Sequence, residues 1–228
     1  MKVDISMKQT EYAIITARSH VLIDGGEGLL LVDTGSPMSF HESGRLDLCG
    51  ESLSVPTSLM GVGSDYVSDK VGERVTGLVG MDVIGRFGLL VDIPGERLVF
   101  GHPTDGMTRV PSRIGMGYAS VEMELSGKTA RVILDTGAPT SYVSPSFTDG
   151  LEPVDRVKDF NPMVPGDTFE TPVFEFPASF AGHAFTMRAG HLPETMRMML
   201  SMLGVDGVVG LEILSRVPVL VAEGGVWV

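Results

Sequence analysis

Two copies of one short motif carry the residues in this sequence that are best suited to chemistry. Residues 32–37 read Val-Asp-Thr-Gly-Ser-Pro, and residues 134–139 read Leu-Asp-Thr-Gly-Ala-Pro. Each copy follows a run of aliphatic residues, which predicts that Asp33 and Asp135 lie at the ends of two buried strands. A buried carboxylate is costly unless it is paired or hydrogen-bonded. The sequence therefore predicts that the two aspartates are partners in one site.

The rest of the chain repeats in the same order around these motifs, which indicates two related halves. An offset of 102 residues (135 minus 33) superimposes the motifs, and one of 130 (210 minus 80) superimposes 77–80 on 207–210. The second half thus has 28 additional residues (130 minus 102) between its landmarks, and a predicted helix at 193–203 accounts for part of them. Glycines in 77–80 and 207–210 would let each segment pass close behind an aspartate turn.

Composition favours many short strands over a helical bundle. The 228 residues include 29 glycines and 14 prolines, and a hydrophobic fraction of 43% is ample for a core. We predict an all-β fold in which each half closes its own small barrel, with few short helices. The predicted division is an N-terminal lobe at 1–101, a linker at 102–117 and a C-terminal lobe at 118–228.

Charge and composition also restrict the partners and the compartment. The net charge of −12 opposes binding to phosphate backbones, so no nucleic-acid partner is expected. No apolar run reaches the roughly 18–20 residues of a membrane span, and no membrane partner is expected. Residues 1–8 lack an apolar signal segment and Cys49 is the single cysteine, which predicts a cytoplasmic protein without an internal disulfide. The five histidines lack metal-ligand spacing, so neither a metal nor a cofactor is expected.

With these motifs in place, the chain resembles the aspartic proteases. The resemblance is to a single-chain, two-lobed, pepsin-like organisation at nearly the size of a retropepsin dimer. It rests on the two Asp-Thr-Gly motifs, on Leu-Val-Gly at 78–80 and on Val-Val-Gly at 208–210. The stretch Gly-Met-Asp-Val-Ile at 80–84 is closer to retropepsin-like proteins. The chain departs from the family in the proline that follows each motif and in the missing long pepsin loops.

The resemblance implies a bilobal acid-protease fold and an aspartic endopeptidase, a hydrolase whose proteolysis needs no cofactor. Two carboxyls about 3 Å apart cannot both ionise, so Asp33 and Asp135 would share one proton; aspartic proteases are the usual illustration of such a pair. A water held between them would attack the scissile carbonyl of a peptide or unfolded protein, with apolar residues around the cut. The protein would act as a monomer with an intramolecular pseudo-dyad. A statine inhibitor such as pepstatin would occupy the water site.

The resemblance also assigns supporting roles to the residues that follow the two aspartates: Thr34, Gly35, Ser36, Thr136, Gly137 and Ala138. The threonine hydroxyls would lock the two loops together, and the glycine N–H groups would donate to the carboxylates. The Ser36 side chain would add a hydrogen bond to Asp33 that Ala138 cannot match for Asp135. The two carboxyls would then be inequivalent.

A substrate-covering flap is predicted in the first half. Residues 58–69 are interpreted as a hairpin whose tip contains Gly61, Val62 and Gly63, and Tyr66 is the candidate flap tyrosine. An ordinary exposed hairpin is the alternative interpretation. The corresponding stretch of the second half, 163–166, is a candidate for a second flap.

Methionines are concentrated along the helix predicted at 193–203, at positions 196, 198, 199 and 202. Core packing is the preferred interpretation, because methionine fills irregular gaps. A methionine-lined binding face is the alternative.

The sequence is also compatible with two alternatives. The chain could be a peptide-binding module of the same fold that does not cleave, although such a module has no need of two intact Asp-Thr-Gly motifs. It could also form a homodimer that pairs one aspartate from each chain, although two complete halves make that arrangement unnecessary.

Overall fold

Strands dominate the computed structural model, which describes residues 9–17, 20–160 and 166–228. Strand accounts for 48% and helix for 15%, with four helices in the described ranges, so the predicted all-β class is confirmed. No helix in these ranges combines the length and the apolar character needed to cross a membrane.

The first half, up to Gly101, builds a five-stranded sheet of order β2–β3–β4–β8–β5 and a separate β6–β7 hairpin. Its strands are β1 (Thr10–Ala13), β2 (Ile15–Ala17), β3 (His20–Asp24), β4 (Leu29–Val32), β5 (Phe40–His41), β6 (Arg45–Leu48), β7 (Glu51–Ser54), β8 (Val75–Val79), β9 (Leu89–Asp92) and β10 (Arg97–Phe100). Its helices are α1 (Ser64–Val71) and α2 (Met81–Phe87).

The second half builds an eight-stranded sheet of order β12–β13–β14–β19–β15–β18–β17–β16. Its strands are β11 (Arg109–Val110), β12 (Ser112–Gly115), β13 (Tyr118–Leu125), β14 (Lys128–Leu134), β15 (Ser141–Val143), β16 (Asp155–Phe160), β17 (Thr168–Phe180), β18 (His183–Gly190), β19 (Gly207–Val209), β20 (Val219–Ala222) and β21 (Gly225–Trp227). Its helices are α3 (Glu194–Met202) and α4 (Leu211–Leu214), with a 3₁₀ turn at Pro145–Phe147.

The two sheets repeat one pairing order, as the sequence repeat predicts. The order β2–β3–β4–β8–β5 has its counterpart in β12–β13–β14–β19–β15. In both halves the strand that leads into the Asp-Thr-Gly motif runs parallel to the strand that leads into the later glycine, as β4–β8 and β14–β19. The additional residues of the second half form the β16–β17–β18 extension and α3.

A third sheet, of order β1–β10–β9–β20–β21–β11, takes three strands from each half. The halves meet where β9 pairs antiparallel with β20, in a register that places Leu90 opposite Leu220. One hydrophobic cluster, which includes Val32, Leu134 and Val221, extends through both halves. The two aspartate-bearing strands are therefore anchored to a common core. The predicted linker at 102–117 contributes β11 and β12, two strands that the sequence did not predict.

Helix α1 replaces the second half of the hairpin predicted at 58–69, so that prediction is wrong from Ser64 onward. Val67 and Val71 are four residues apart and are buried against the five-stranded sheet, the spacing that an amphipathic helix requires. Gly72 ends the helix in the left-handed conformation, with φ of 81°. The spacing of Val67 and Val71 is helical, whereas Gly61 and Gly63 just before it favour a turn.

The helix predicted at 193–203 is confirmed as α3, and Gly204 follows it with φ of 69°. Its methionines are not core residues. Met198, Met199 and Met202 are 56%, 47% and 87% exposed, and α3 has no fully buried residue. The prediction of core packing is therefore wrong, because the helix lies on the surface of the second half.

Candidate active site

The strand pairs that carry the motifs also fix the backbone of each aspartate. The N–H of Asp33 donates to the carbonyl of Val79 over 3.0 Å, and the N–H of Asp135 donates to the carbonyl of Val209 over 3.0 Å. Each aspartate is thus held at the end of its parallel strand pair. The local pairing is the same in both halves, so the two side chains are presented in the same way.

The glycines that follow these pairs allow the predicted close approach. A Cβ built on Gly80 would lie 2.5 Å from the Met38 carbonyl oxygen and 2.9 Å from that of Ser36, and one on Gly210 would overlap the Ala138 carbonyl oxygen, the counterpart of Ser36. The Gly80 N–H donates to the Ser39 hydroxyl over 2.8 Å, and the Gly210 N–H donates to that of Ser141 over 3.1 Å. Each aspartate loop is therefore supported from behind by a backbone without a side chain.

Two buried threonines join the loops by four reciprocal hydrogen bonds. The N–H of Thr34 donates to Oγ1 of Thr136, and the N–H of Thr136 donates to Oγ1 of Thr34, both over 3.0 Å. The Thr34 hydroxyl donates to the Leu134 carbonyl over 2.8 Å, and the Thr136 hydroxyl donates to the Val32 carbonyl over 2.6 Å. Each threonine is only 1% exposed. The two loops are therefore locked across a local pseudo-twofold axis.

This lock brings the two carboxyl groups into contact. The side chains of Asp33 and Asp135 are hydrogen-bonded to each other. The N–H of Gly35 donates to Asp33, and that of Gly137 donates to Asp135, each over 2.8 Å. A Cβ on Gly137 would lie 2.6 Å from Cγ of Asp33, and one on Gly35 would overlap the carboxyl of Asp135. Only glycine leaves room for the opposite carboxyl at these two positions.

The enclosure raises the pKa of both carboxyls. Burial is the main cause for Asp33, opposed by hydrogen bonds from Asp135 and from backbone N–H groups. Burial and then the charge on Asp33 raise the pKa of Asp135 well above its ordinary value. Both residues are still partly exposed, as a group that meets a ligand must be. Two carboxyls in such close contact cannot ionise independently, so they titrate as one coupled pair.

The side chain of Ser36 does not support the dyad. Its hydroxyl donates to the Met38 carbonyl over 2.8 Å, so the predicted hydrogen bond to Asp33 is wrong. The Ser36 N–H donates to the main-chain carbonyl of Asp33 over 3.2 Å, and the Ala138 N–H donates to that of Asp135 over 3.4 Å. Both N–H groups also lower the pKa of the adjacent carboxyl. The turn directs the serine hydroxyl to its own loop, and the inequivalence that we predicted from this position has no structural basis.

The residues predicted to form a flap are divided between a turn and a helix. An isolated bridge joins Leu59 to Val62 around a turn in which Gly61 has φ of 85°. Gly63 is the N-cap of α1, and Tyr66 lies within that helix, so the predicted hairpin position of Tyr66 is wrong. The second candidate flap, at 163–166, falls mostly outside the described residues.

Tyr66 instead connects the first half to the β16–β17 hairpin of the second half. Its ring meets that of Phe160, at the end of β16, edge to face, with centroids 6.1 Å apart. The ammonium group of Lys70 lies 5.3 Å and 5.4 Å from the centroids of the two rings. This aromatic contact between the halves was not predicted from the sequence.

Tyr118 is a neighbour of the dyad that the sequence analysis missed. β13 pairs with β14 in a register that places Ser120 opposite Ile133. Tyr118 precedes Ser120 by two residues and Asp135 follows Ile133 by two, so the hairpin brings the two residues to the same end of the strand pair. Burial raises the pKa of the half-buried Tyr118 phenol, and the charges on Asp135 and Asp33 raise it further. The register of the hairpin that ends in the second motif was the signal that could have identified it.

We expect the Tyr118 phenol to titrate above the ordinary range of tyrosine, and Asp135→Asn to lower its pKa by removing a nearby negative charge. NMR titration of ring-labelled tyrosine, assigned with Tyr118→Phe, measures both effects. Tyr12 is the internal control, because burial near Cys49 raises the pKa of its phenol and no aspartate is involved. A Tyr118 titration that Asp135→Asn leaves unchanged would contradict this placement.

The dyad should also make stability depend on pH in a particular direction. The folded state binds the pair's proton more tightly than the unfolded state, so this contribution is complete below the unfolded pKa of aspartate, near 3.8. It is lost as pH rises through the raised folded pKa. We therefore expect Asp135→Asn to gain stability relative to the parent between pH 3 and pH 7, as measured by urea unfolding. A pH-independent difference would be inconsistent with a proton-sharing pair.

The residues at this centre supply acid–base groups. No group of three or more His, Cys, Asp or Glu side chains is placed to hold a metal ion in the parts of the chain that the structure describes. The chain matches no model of a known protein family, and a search of curated proteins finds no relative. A functional assignment must therefore rest on the geometry of the dyad.

Proposed function

We propose that this protein is an aspartic-type endopeptidase with a bilobal acid-protease fold. The observation that carries the proposal is the pair Asp33 and Asp135, hydrogen-bonded to each other on loops joined by the reciprocal threonine lock. The five-stranded and eight-stranded sheets would belong to the two lobes, and the six-stranded sheet would join them. A pair of carboxyls with a shared proton holds both a general acid and a general base at one point.

In the proposed reaction the ionised member of the pair takes a proton from a water bound between the carboxyls. The resulting hydroxide attacks the scissile carbonyl carbon, while the protonated member donates a hydrogen bond to the carbonyl oxygen. The tetrahedral intermediate collapses as a carboxyl transfers its proton to the leaving nitrogen. The C–N bond breaks, and one proton remains on the pair for the next cycle. No covalent intermediate with the protein is formed.

Exposed methionines next to the first aspartate loop support an apolar peptide substrate. Met38 follows this loop and is 48% exposed, and Met116 is 79% exposed at the turn between β12 and β13. The next residue of that turn, Gly117, lies directly against Pro37. Flexible, polarisable side chains around the loop suit varied apolar residues. The proposed substrates are extended peptides or unfolded protein with apolar residues around the cut.

The alternative function is a peptide-binding module of the same fold that does not cleave. A binder gains nothing from two carboxyls whose burial and contact raise the pKa of both. The proposed enzyme uses that arrangement directly. Because both carboxyls belong to one chain, the proposed enzyme acts as a monomer.

Incubation with a diverse peptide library between pH 3 and pH 7 tests the proposal. We expect internal cleavage, which weakens towards neutral pH as the pair loses its shared proton, and inhibition by pepstatin. The cut sites, read by mass spectrometry, should be enriched in apolar residues. Peptide binding without cleavage at any pH would favour the alternative function.

A further inference from the structure

A cavity of about 320 Å³ lies in the second half between α3 and the strands β15 and β19. Its apolar wall is formed by Val143, Leu192, Met198, Leu200 and Val205. The lining also includes the polar residues Tyr142, Ser144, Ser201 and Arg197, and the Tyr142 hydroxyl donates to Asp159. The volume is sufficient for a small organic ligand with an apolar substituent.

Arg197 is the unusual member of this wall. Its Nε is buried and has no hydrogen-bond partner in the described residues, where its guanidinium also forms no ion pair. A buried donor without an acceptor is destabilising, and a guanidinium keeps its charge at all physiological pH values. The charge of Arg197 also acts on His191. Burial is the larger cause that lowers the pKa of the His191 imidazole, and the positive charge of Arg197 lowers it further. None of the described residues therefore supplies an acceptor for Nε of Arg197 or pairs with the charge of its guanidinium.

The acidic residues of the cavity do not supply that acceptor. A carboxylate oxygen of Asp206 accepts the backbone N–H of Arg131 over 2.9 Å. Glu194 is exposed in the first turn of α3 and makes no ion pair with Arg197. Arg197 is thus the one cation that lines the cavity.

We propose that this cavity binds a carboxylate that carries an apolar substituent, with Arg197 donating hydrogen bonds to the carboxylate oxygens. The planar guanidinium can hold a carboxylate through two parallel hydrogen bonds. The methionine, leucine and valine side chains would enclose the substituent. This site is separate from the dyad and does not depend on the proposed protease activity.

The carboxylate could belong to a free small molecule or to a peptide substrate. β19 runs from the cavity at Gly207 to Val209, whose carbonyl accepts the N–H of Asp135. Two strand residues span about 7 Å, so an extended peptide could reach both places. The shared chemistry is an apolar carboxylate, and the two sources can be distinguished by experiment.

The test is an NMR titration of the full chain with N-acetyl-leucine and with its uncharged analogue N-acetyl-leucinamide. We expect the acid to shift the amide resonances of Val143 and Ser201 and to bind at least about tenfold more tightly than the amide. Arg197→Met should remove this preference, and Arg197→Lys should retain part of it. Arg113→Met, at an exposed arginine of β12, is the matched control and should bind like the parent.

Equal affinity for the acid and the amide in the parent would overturn the proposal, even if the Arg197 variants did not fold. Absence of any shift in the cavity resonances would overturn it as well. If N-acetyl-leucine binds and raises the KM of a cleaved reporter peptide, the carboxylate is one that the substrate provides. If it binds without an effect on cleavage, or if no peptide is cleaved, the cavity is a site for a free carboxylate.

Discussion

Replacement of either Asp33 or Asp135 by asparagine is expected to lower kcat/KM for peptide cleavage by about 10²–10⁴-fold. The amide keeps the size of the carboxyl and can still donate to its partner. It cannot take a proton from water, and it cannot return one to the leaving nitrogen. Because both functions belong to the pair, the two single variants should be impaired to a similar extent.

The control for these variants is a measurement of their folding stability. Asp33→Asn and Asp135→Asn should unfold cooperatively at neutral pH, at least as stably as the parent, because each removes one carboxyl from a crowded buried pair. Asp105→Asn, at an exposed loop position, should cleave like the parent. Undiminished cleavage by either dyad variant would show that the pair is not the catalytic centre.

The second large effect is expected at the threonine lock. Thr34→Val leaves the N–H of Thr136 and the carbonyl of Leu134 buried without their partners. Each of these two unsatisfied groups costs about 1–3 kcal/mol, so we expect the free energy of unfolding to fall by about 2–6 kcal/mol. Urea unfolding monitored by circular dichroism measures this loss. Thr34→Ser keeps the hydroxyl and should recover most of it.

The reciprocity of the lock allows a further check. Thr136→Val should lower the free energy of unfolding by about as much as Thr34→Val. The Thr136 hydroxyl makes the same two kinds of hydrogen bond, to the Thr34 N–H and to the Val32 carbonyl. Each valine removes a different pair of the four hydrogen bonds. The first loss already loosens the contact between the two loops, so the double variant should cost less than the sum of the two single losses. Strict additivity, or a serine variant as unstable as the valine variant, would contradict the interpretation of these contacts as a coupled lock.

The two aspartates at the centre of the site could be predicted because the sequence pattern that positions each of them is local and occurs twice in the chain. A hydrophobic strand followed by Asp-Thr-Gly determines where each aspartate lies relative to its own sheet. The repeat at Gly80 and Gly210 indicates what must pass behind it. The contact between Asp33 and Asp135 followed from the cost of burying each of them alone.

Features that depend on the neighbourhood of a side chain could not be predicted in the same way. The Ser36 hydroxyl donates to the Met38 carbonyl of its own loop, a contact that depends on the geometry of the turn. Tyr118 approaches the dyad through the register of a hairpin, and Tyr66 meets a ring from the other half. The exposure of Met202 follows from where α3 docks, which residue spacing along one helix does not specify.

The threonine lock also determines when during synthesis the site can exist. Thr34 and Thr136 are 102 residues apart in the chain, and β20, which pairs with β9, lies close to the end of the described chain. A growing chain that has emerged only as far as the first motif has neither its second carboxyl nor the groups that hold the first in place. Contacts of such long sequence separation form late and slowly. A nascent chain that lacks the second motif is therefore expected to be inactive, and the proposed peptidase can act only after both halves have been made.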